Sequence, residues 1–226
     1  MSDILHSVGR FPVVLRLAFL LAFLLGPCAA LAVEPILVDD FATGLRPGWT
    51  EKTFRGHTLY APSTEGGRAA LKAESRAAAS GLYFPVRINP VVHPRIAWSW
   101  KVARSLKSGD ERTKSGDDYA ARLYVVFPSR LFWRTRAINY VWAGRMPVGA
   151  AWPNAFTPNA RMIAVESGDA KAGRWVDEVR DLRADYRSAF GEEPGEAGAV
   201  AIMTDTDNAG GEATAWYGAI RLLPKE

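Results

Sequence analysis

Between Arg95 and Val102 the chain alternates one for one. Ile96, Trp98, Trp100 and Val102 fall on one face, with Ala97, Ser99 and Lys101 on the other. Successive side chains of an extended strand point to opposite sides, so this pattern fits a half-buried strand and no helix. The same period returns in residues 119–127, an apolar run. Its odd positions (Tyr119, Ala121, Leu123, Val125, Phe127) share a face while Arg122 projects from the other. Ile138, Tyr140 and Trp142 share one side of residues 137–142, and residues 161–166 continue the pattern. Residues 33–41, 82–88, 199–204 and 213–223 also read as strands. Trp175, Val179, Leu182, Tyr186 and Phe190 fit a helical stripe, yet the first two also suit a strand. The spacing is read as a strand to Arg180, then a short helix over residues 182–190 ended by Gly191 and Pro194. Residues 61–80, with a Pro62-Ser63-Thr64-Glu65-Gly66-Gly67 turn cluster and an Ala-rich piece, receive no assignment. Eight or nine short strands, one short helix and no βαβ alternation predict an all-β antiparallel sandwich.

The N-terminus reads as an address. Arg10 and Arg16 precede an apolar stretch over residues 17–25, closed by Gly26 and Pro27, and Ala30-Leu31-Ala32 places small residues where a signal peptidase reads. This is the layout of a secretory signal peptide spanning residues 1–32. The apolar run falls short of the ~20 residues that a spanning helix needs. Pro27 also stands where a lipidation signal at Cys28 wants a small residue. Cys28 is the single cysteine, so its removal leaves no disulfide, no thiol nucleophile and no thiolate metal site. Stability must then come from core burial, and a chain of this length buries roughly 70% of its unfolded surface. The expectation is one periplasmic or secreted domain over residues 33–226.

The formal charge of +4 is too small to argue for nucleic acid, but it hides a segregation. Residues 119–165 carry six Arg (Arg122, Arg130, Arg134, Arg136, Arg145, Arg161) with no Lys and no acid, whereas residues 166–226 carry 7 basic and 13 acidic residues. Tyr124, Phe132, Trp133, Tyr140, Trp142 and Trp152 interleave with those Arg. Arg presents a planar fork to carboxylates and phosphates and stacks on aromatic faces. Two readings stay open: a basic aromatic face for an anionic or sugar-like ligand, or pairing of the Arg-rich block with the acidic third inside one sandwich.

Residues 111–119 form a polar loop that delivers Asp117 and Asp118 onto the start of the most apolar strand. Adjacent strand residues face opposite ways, so the two carboxylates cannot both point into a core. Either could act as general acid or base or grip a cation or a hydroxyl. Equally, both could close a turn with an ion pair to Arg112 or Arg122. Asp205-Thr206-Asp207-Asn208 opens like a calcium loop, but Ala209 occupies the fifth position and Trp216 the twelfth, so it fails as an EF-hand. Calcium in another geometry is the one cofactor option left beside a plain hairpin turn. Asp39 and Asp40 offer a further cation candidate or simply a strand end. Beyond residue 32 the histidines are His57 and His93, each isolated, which excludes a zinc cluster. No nucleophile elbow is present. Trp98 and Trp100 share a strand face and read as core, whereas Trp133, Trp142 and Trp152 lie in or beside loops and could form a stacking platform.

Several stretches together resemble a bacterial family, domain of unknown function 3047. They are Trp98-Ser99-Trp100-Lys101, Lys114-Ser115-Gly116-Asp117-Asp118-Tyr119-Ala120-Ala121-Arg122, Ile138-Asn139-Tyr140-Val141-Trp142, Asp185-Tyr186 with Phe190-Gly191, and Met203-Thr204-Asp205-Thr206-Asp207-Asn208. The resemblance implies an exported jelly-roll domain of the galactose-binding-like kind and carries no known activity. Where similar sequences read Tyr-Gly-Asp-Ile, this one has Tyr217-Gly218-Ala219-Ile220, which weakens any role for a carboxylate there in holding a cation.

These readings converge on a non-catalytic module that binds a carbohydrate or anionic envelope component through loops at one sandwich rim. Arg112, Lys114, Asp117, Asp118 and Arg122 would form the polar grip. Asn139, Tyr140 and Trp142 would add neighbouring contacts, and Asp205, Asp207 and Asn208 a facing loop. The alternatives are a two-carboxylate hydrolase of envelope polysaccharide, or a structural or assembly protein. Oligomeric state is not legible.

Overall fold

The computed structural model describes residues 33–107 and 109–225; the expected signal peptide, with Cys28, lies outside the described residues. Glu34–Glu226 forms one compact unit. Its strands are β1 (Ile36–Asp39), β2 (Thr50–Arg55), β3 (Leu59–Glu65), β4 (Arg68–Arg76), β5 (Ala79–Ile88), β6 (Arg95–Val102), β7 (Arg122–Phe127), β8 (Arg136–Ala143), β9 (Ala151–Pro153), β10 (Ala160–Ser167), β11 (Val176–Asp181), β12 (Ala197–Asp205) and β13 (Glu212–Leu223), with one α-helix, α1 (Leu182–Phe190).

Alternation decides which way each strand faces. The smaller sheet runs β11-β6-β13-β4-β3 with β1 added on β13, and the larger runs β2-β5-β12-β7-β8-β10-β9. Ile96, Trp98, Trp100 and Val102 of β6 meet Leu123, Val125 and Phe127 of β7 and Ile138, Tyr140 and Trp142 of β8 in one core. An aromatic layer links the sheets: Trp98 lies 5.1 Å from Tyr140 and Trp100 lies 6.0 Å from Trp142, while Trp98 and Trp100 meet edge-on at 5.3 Å. Trp98 and Trp100 are therefore core residues.

The strand-to-helix switch falls where the sequence puts it. Asp181 caps α1 by accepting the Ala184 amide at 2.8 Å, Leu182 and Tyr186 are buried, and Gly191 ends the helix in the left-handed region at φ 73°. The helix packs against β6, β8 and β11. Residues 61–80, left unassigned from sequence, fold into most of the β3–β4 hairpin. Gly66 and Gly67 both take positive φ (59° and 77°), as a tight two-residue hairpin turn requires.

Two features depart from expectation. The β8–β10 pair is parallel, the other strand pairs being antiparallel. The crossover between them carries β9, which returns to pair with β10 at the sheet edge. This parallel pair is buried on both faces. Its outer side is covered by a second apolar cluster of Tyr119, Val141, Ala143, Trp152, Met162 and Ala164, so the outward Val141 and Ala143 of β8 are apolar as well as its inward Ile138, Tyr140 and Trp142. Secondly, β7 begins at Arg122 rather than Tyr119, whose amide and carbonyl turn aside to Asp205 at 3.3 and 3.2 Å. Asp39 is structural: its carboxylate accepts the Phe41 and Arg46 amides and the Trp49 indole N–H at 2.8–3.1 Å. Among the described residues no helix is long and apolar enough to cross a membrane.

Candidate functional site

With Leu123 and Val125 turned inward, β7 presents Arg122 and Tyr124 on the outer face of the larger sheet. By the same parity β8 presents Asn139 there, and β12 presents Met203 and Asp205. Tyr124 and Asn139 are directly paired across the β7–β8 ladder. These side chains floor a pocket of about 400 Å³. Phe54 of β2 and the 154–159 loop, with Asn154, Phe156 and Thr157, form its sides. Asp117, Asp207 and Asn208 close one end together with Arg122 and Asp205.

That end is a buried ionic network. The Arg122 guanidinium donates from Nε to Asp205 Oδ1 at 2.8 Å, from Nη2 to Asp205 Oδ2, from Nη1 to Asp117 Oδ2 at 3.3 Å, and from Nη2 to the Asp117 carbonyl. It also stacks over the Tyr119 ring at 4.4 Å. Burial works against its charge, yet the Asp205 and Asp117 carboxylates hold its pKa well above the usual range. Burial pushes the Asp205 carboxyl up to about 7, with the guanidinium pulling the other way. Two-pronged contact of this kind offsets the desolvation that a lone buried charge could not survive.

The neighbouring loop is fixed by the second carboxylate. Asp118 accepts the Asn208 amide and side-chain N–H at 3.1 Å and the Ala209 amide at 2.6 Å. Asn208 reaches on to the Asp117 carbonyl at 3.4 Å and Asp207 Oδ1 at 3.2 Å. Carboxylate oxygens of Asp118, Asp205 and Asp207 lie within 4.8 Å of one another. Those of Asp118 and Asp205 are already served by protein donors. Asn139 is different. It is 2% exposed and gives its Nδ2 to the Met162 sulfur at 3.3 Å, but its Oδ1 has no hydrogen-bond partner.

The structure thus gathers Asp117, Asp118, Arg122, Asn139, Asp205, Asp207 and Asn208, from three separate stretches of chain, around one cavity, set on a sheet face and not along a rim of loops. Tyr140 and Trp142 are not with them. Both point into the core, with the Tyr140 hydroxyl on Asp185 at 2.8 Å and the Trp142 indole on the Gly168 carbonyl at 2.9 Å. Arg112 is exposed and folds back on Asp110 at 2.9 Å, away from the pocket. Lys114 stands at the pocket edge, its Nζ 5.3 Å over the Phe156 ring. Trp152 is buried in the outer apolar cluster, so of the loop tryptophans only Trp133 is exposed. The Arg-rich block divides between its two readings. Arg122 and Arg136 pair with Asp205 and Glu192 of the acidic third, and Arg161 donates to the Ala189 carbonyl. Arg130, Arg134 and Arg145 stay exposed.

Sequence reasoning named Tyr124 only among the aromatic residues interleaved with the Arg block, and it passed over Met203, Phe54, Asn154 and Phe156 as pocket residues. It also passed over Glu111, whose buried carboxylate accepts the Gly144, Arg145 and Met146 amides at 2.7, 3.2 and 2.7 Å and whose carbonyl takes the Trp152 indole N–H at 3.1 Å. Glu111 pins the polar loop to the end of β8. Gly144 sits so close to the Leu106 carbonyl that a Cβ would not fit. For Tyr124 a signal existed: it lies two residues from Arg122 and so shares its face.

Residues 47–221 match the family described as "Protein of unknown function (DUF3047)". Among solved structures, the chain is similar to a family 30 carbohydrate-binding module of a cellulosomal cellulase of Clostridium thermocellum. The TM-score is 0.50 at 7% identity, over 86% of this chain and 99% of that one. It is also similar to a family 11 carbohydrate-binding module of the same organism in complex with a β-1,3-1,4-mixed-linked tetrasaccharide (TM-score 0.45, 10% identity, 85% and 97% covered). A third is the CBM22-1 xylan-binding domain of Paenibacillus barcinonensis (TM-score 0.41, 16% identity, 86% and 99% covered). No curated protein matches. At 7% identity the first likeness establishes the fold, an antiparallel jelly-roll sandwich.

Proposed function

We propose that this chain, which belongs to the DUF3047 family, is a non-catalytic module that holds a neutral saccharide in the outer-face pocket. The observation that carries the reading is an aromatic-sided cavity of about 400 Å³ with the buried Asn139 amide in its floor. A few polar groups set among apolar and aromatic walls are what orients the hydroxyls of a bound sugar. Phe54, Tyr124 and Phe156 supply ring faces for the apolar side of a pyranose, and the Asn154 and Asn208 amides and the Asp207 carboxylate supply polar partners. The strong charges are spent on each other: Arg122 is clasped by Asp205 and Asp117. That favours an uncharged ligand over an anion, and it leaves neither carboxylate unencumbered as nucleophile or general acid, which is why we favour binding over hydrolysis. The fold shared with a carbohydrate-binding module does not carry the argument, since one fold hosts unrelated functions. We place the module on the exported side of the membrane, on the strength of the leader pattern in residues 1–32.

The test is affinity electrophoresis or a glycan array with neutral and anionic polysaccharides. Asn139→Leu, which keeps the branched heavy-atom skeleton and removes the amide, and Tyr124→Ala should each weaken binding by about tenfold or more, with circular dichroism unchanged. Added salt should have little effect. Binding that survives both substitutions, or that occurs only with anionic polymers and collapses in salt, overturns the reading.

A further inference from the structure

We propose that the β7–β8 connection is a tip that docks the protein on an anionic phospholipid bilayer. Leu131, Phe132 and Trp133 expose 41%, 81% and 58% of their surface in adjacent positions. The exposure is not slackness. Arg134 N–H donates to the Leu131 carbonyl at 2.8 Å and Thr135 N–H to the Phe132 carbonyl at 3.1 Å, closing a short 3-10 turn. Asn159 Nδ2 holds the Trp133 carbonyl at 2.6 Å, and the Ser129 hydroxyl accepts the Leu131 amide at 3.3 Å. The backbone is thus ordered by its own hydrogen bonds while three large apolar side chains project into solvent, against the usual cost of hydrated apolar surface.

Charge identifies the occupant. Arg130 and Arg134 bracket the three apolar residues, are exposed, and form no ion pair with any described residue. Glu192 and Glu196, which line the cavity beside Arg134, are already paired with Arg136 and Arg87. An apolar tip ringed by guanidinium groups matches the two layers of a bilayer surface: Phe132 and Leu131 enter the acyl boundary, Trp133 sits at headgroup level, and the Arg pair meets lipid phosphates. A second copy is a poorer occupant, because two tips meeting face to face would bring four guanidinium groups together. A sugar is poorer too, because the Phe132 and Trp133 rings stand at 83° with centroids 5.1 Å apart and offer no flat shared platform.

Residues 33–226 hold both sheets and the whole described core, so the experiment uses that chain, free of the apolar stretch at 17–25. Cosedimentation is measured with vesicles of phosphatidylcholine alone and of phosphatidylcholine with phosphatidylglycerol. Binding to the anionic vesicles is expected, weakened by salt, with little binding to the neutral ones. Phe132→Ser with Trp133→Ser should lower partitioning about tenfold or more, and Arg130→Gln with Arg134→Gln should reduce it to the neutral-vesicle level. Asn139→Leu should leave it unchanged, which separates the tip from the pocket. The proposal is overturned if wild-type protein ignores anionic vesicles or binds both kinds equally, or if the tip substitutions leave partitioning unchanged. It is likewise overturned if their effect is to abolish binding to a soluble polysaccharide or to dissociate a dimer instead.

Discussion

At the scale of single residues, Arg122 decides the most. It ties the start of β7 to the end of β12 and to the loop before it, and its removal would leave Asp205 buried without its counter-charge. Arg122→Met should cost about 3–5 kcal/mol, read as a lowered urea midpoint, whereas adding Asp205→Leu should recover much of that loss. A double variant that loses the sum of the two single costs would show that the pair is not coupled. The cluster around Arg122 was legible because unlike residues stood at the mouths of apolar strands: Asp117 and Asp118 before β7, and Asp205, Asp207 and Asn208 after the core part of β12. What misled was parity. Asn139, Tyr140 and Trp142 were grouped by nearness in sequence, yet neighbours on a strand face opposite ways, so an outward Asn139 forces Tyr140 and Trp142 inward. Glu111 left no mark in the sequence, because its three amide donors lie beyond residue 143, brought near only by the finished fold.

At the scale of elements, β6 and β8 lock the two sheets through their aromatic side chains. Trp100→Ala removes a fully buried ring that touches both Trp98 and Trp142, and should cost about 3–5 kcal/mol. Asp181→Ala removes only the exposed cap of α1 and should cost about 1 kcal/mol. Denaturant midpoints compare the two, and near-equal losses would contradict this division between core and cap. Strands with one buried face, such as β6, announced themselves by alternation, and α1 by its stripe and its terminal glycine. β2 did not, since all six of its residues are exposed and its charged, polar pattern carries no face. Nor could local pattern disclose that β10 runs parallel to β8: pairing direction follows from how the chain returns across the sheet, and either direction would bury the same residues.

At the scale of the whole molecule, stability is coupled to pH through carboxyls that folding encloses. Glu178, on the β11 edge beneath the Trp100 indole N–H at 3.3 Å, is pushed up to about 7 by burial, with Glu166 adding to the shift. An unfolded Glu titrates near ~4.3. Between those values the folded chain binds the proton that the unfolded chain has released, so this contribution favours the fold at low pH and is lost as pH rises from about 4 to 7. Wild-type protein should therefore lose stability relative to Glu178→Gln across that interval, measured as the difference in thermal midpoints. A constant difference would refute the assignment. The pocket has a longer-term consequence. Its base is woven into hydrogen-bonded strands, while its flanks hang from the segments at 111–118, 154–159 and 206–209. Those flanks can be retooled by drift in a lineage, changing what is grasped without ever loosening the frame that does the grasping.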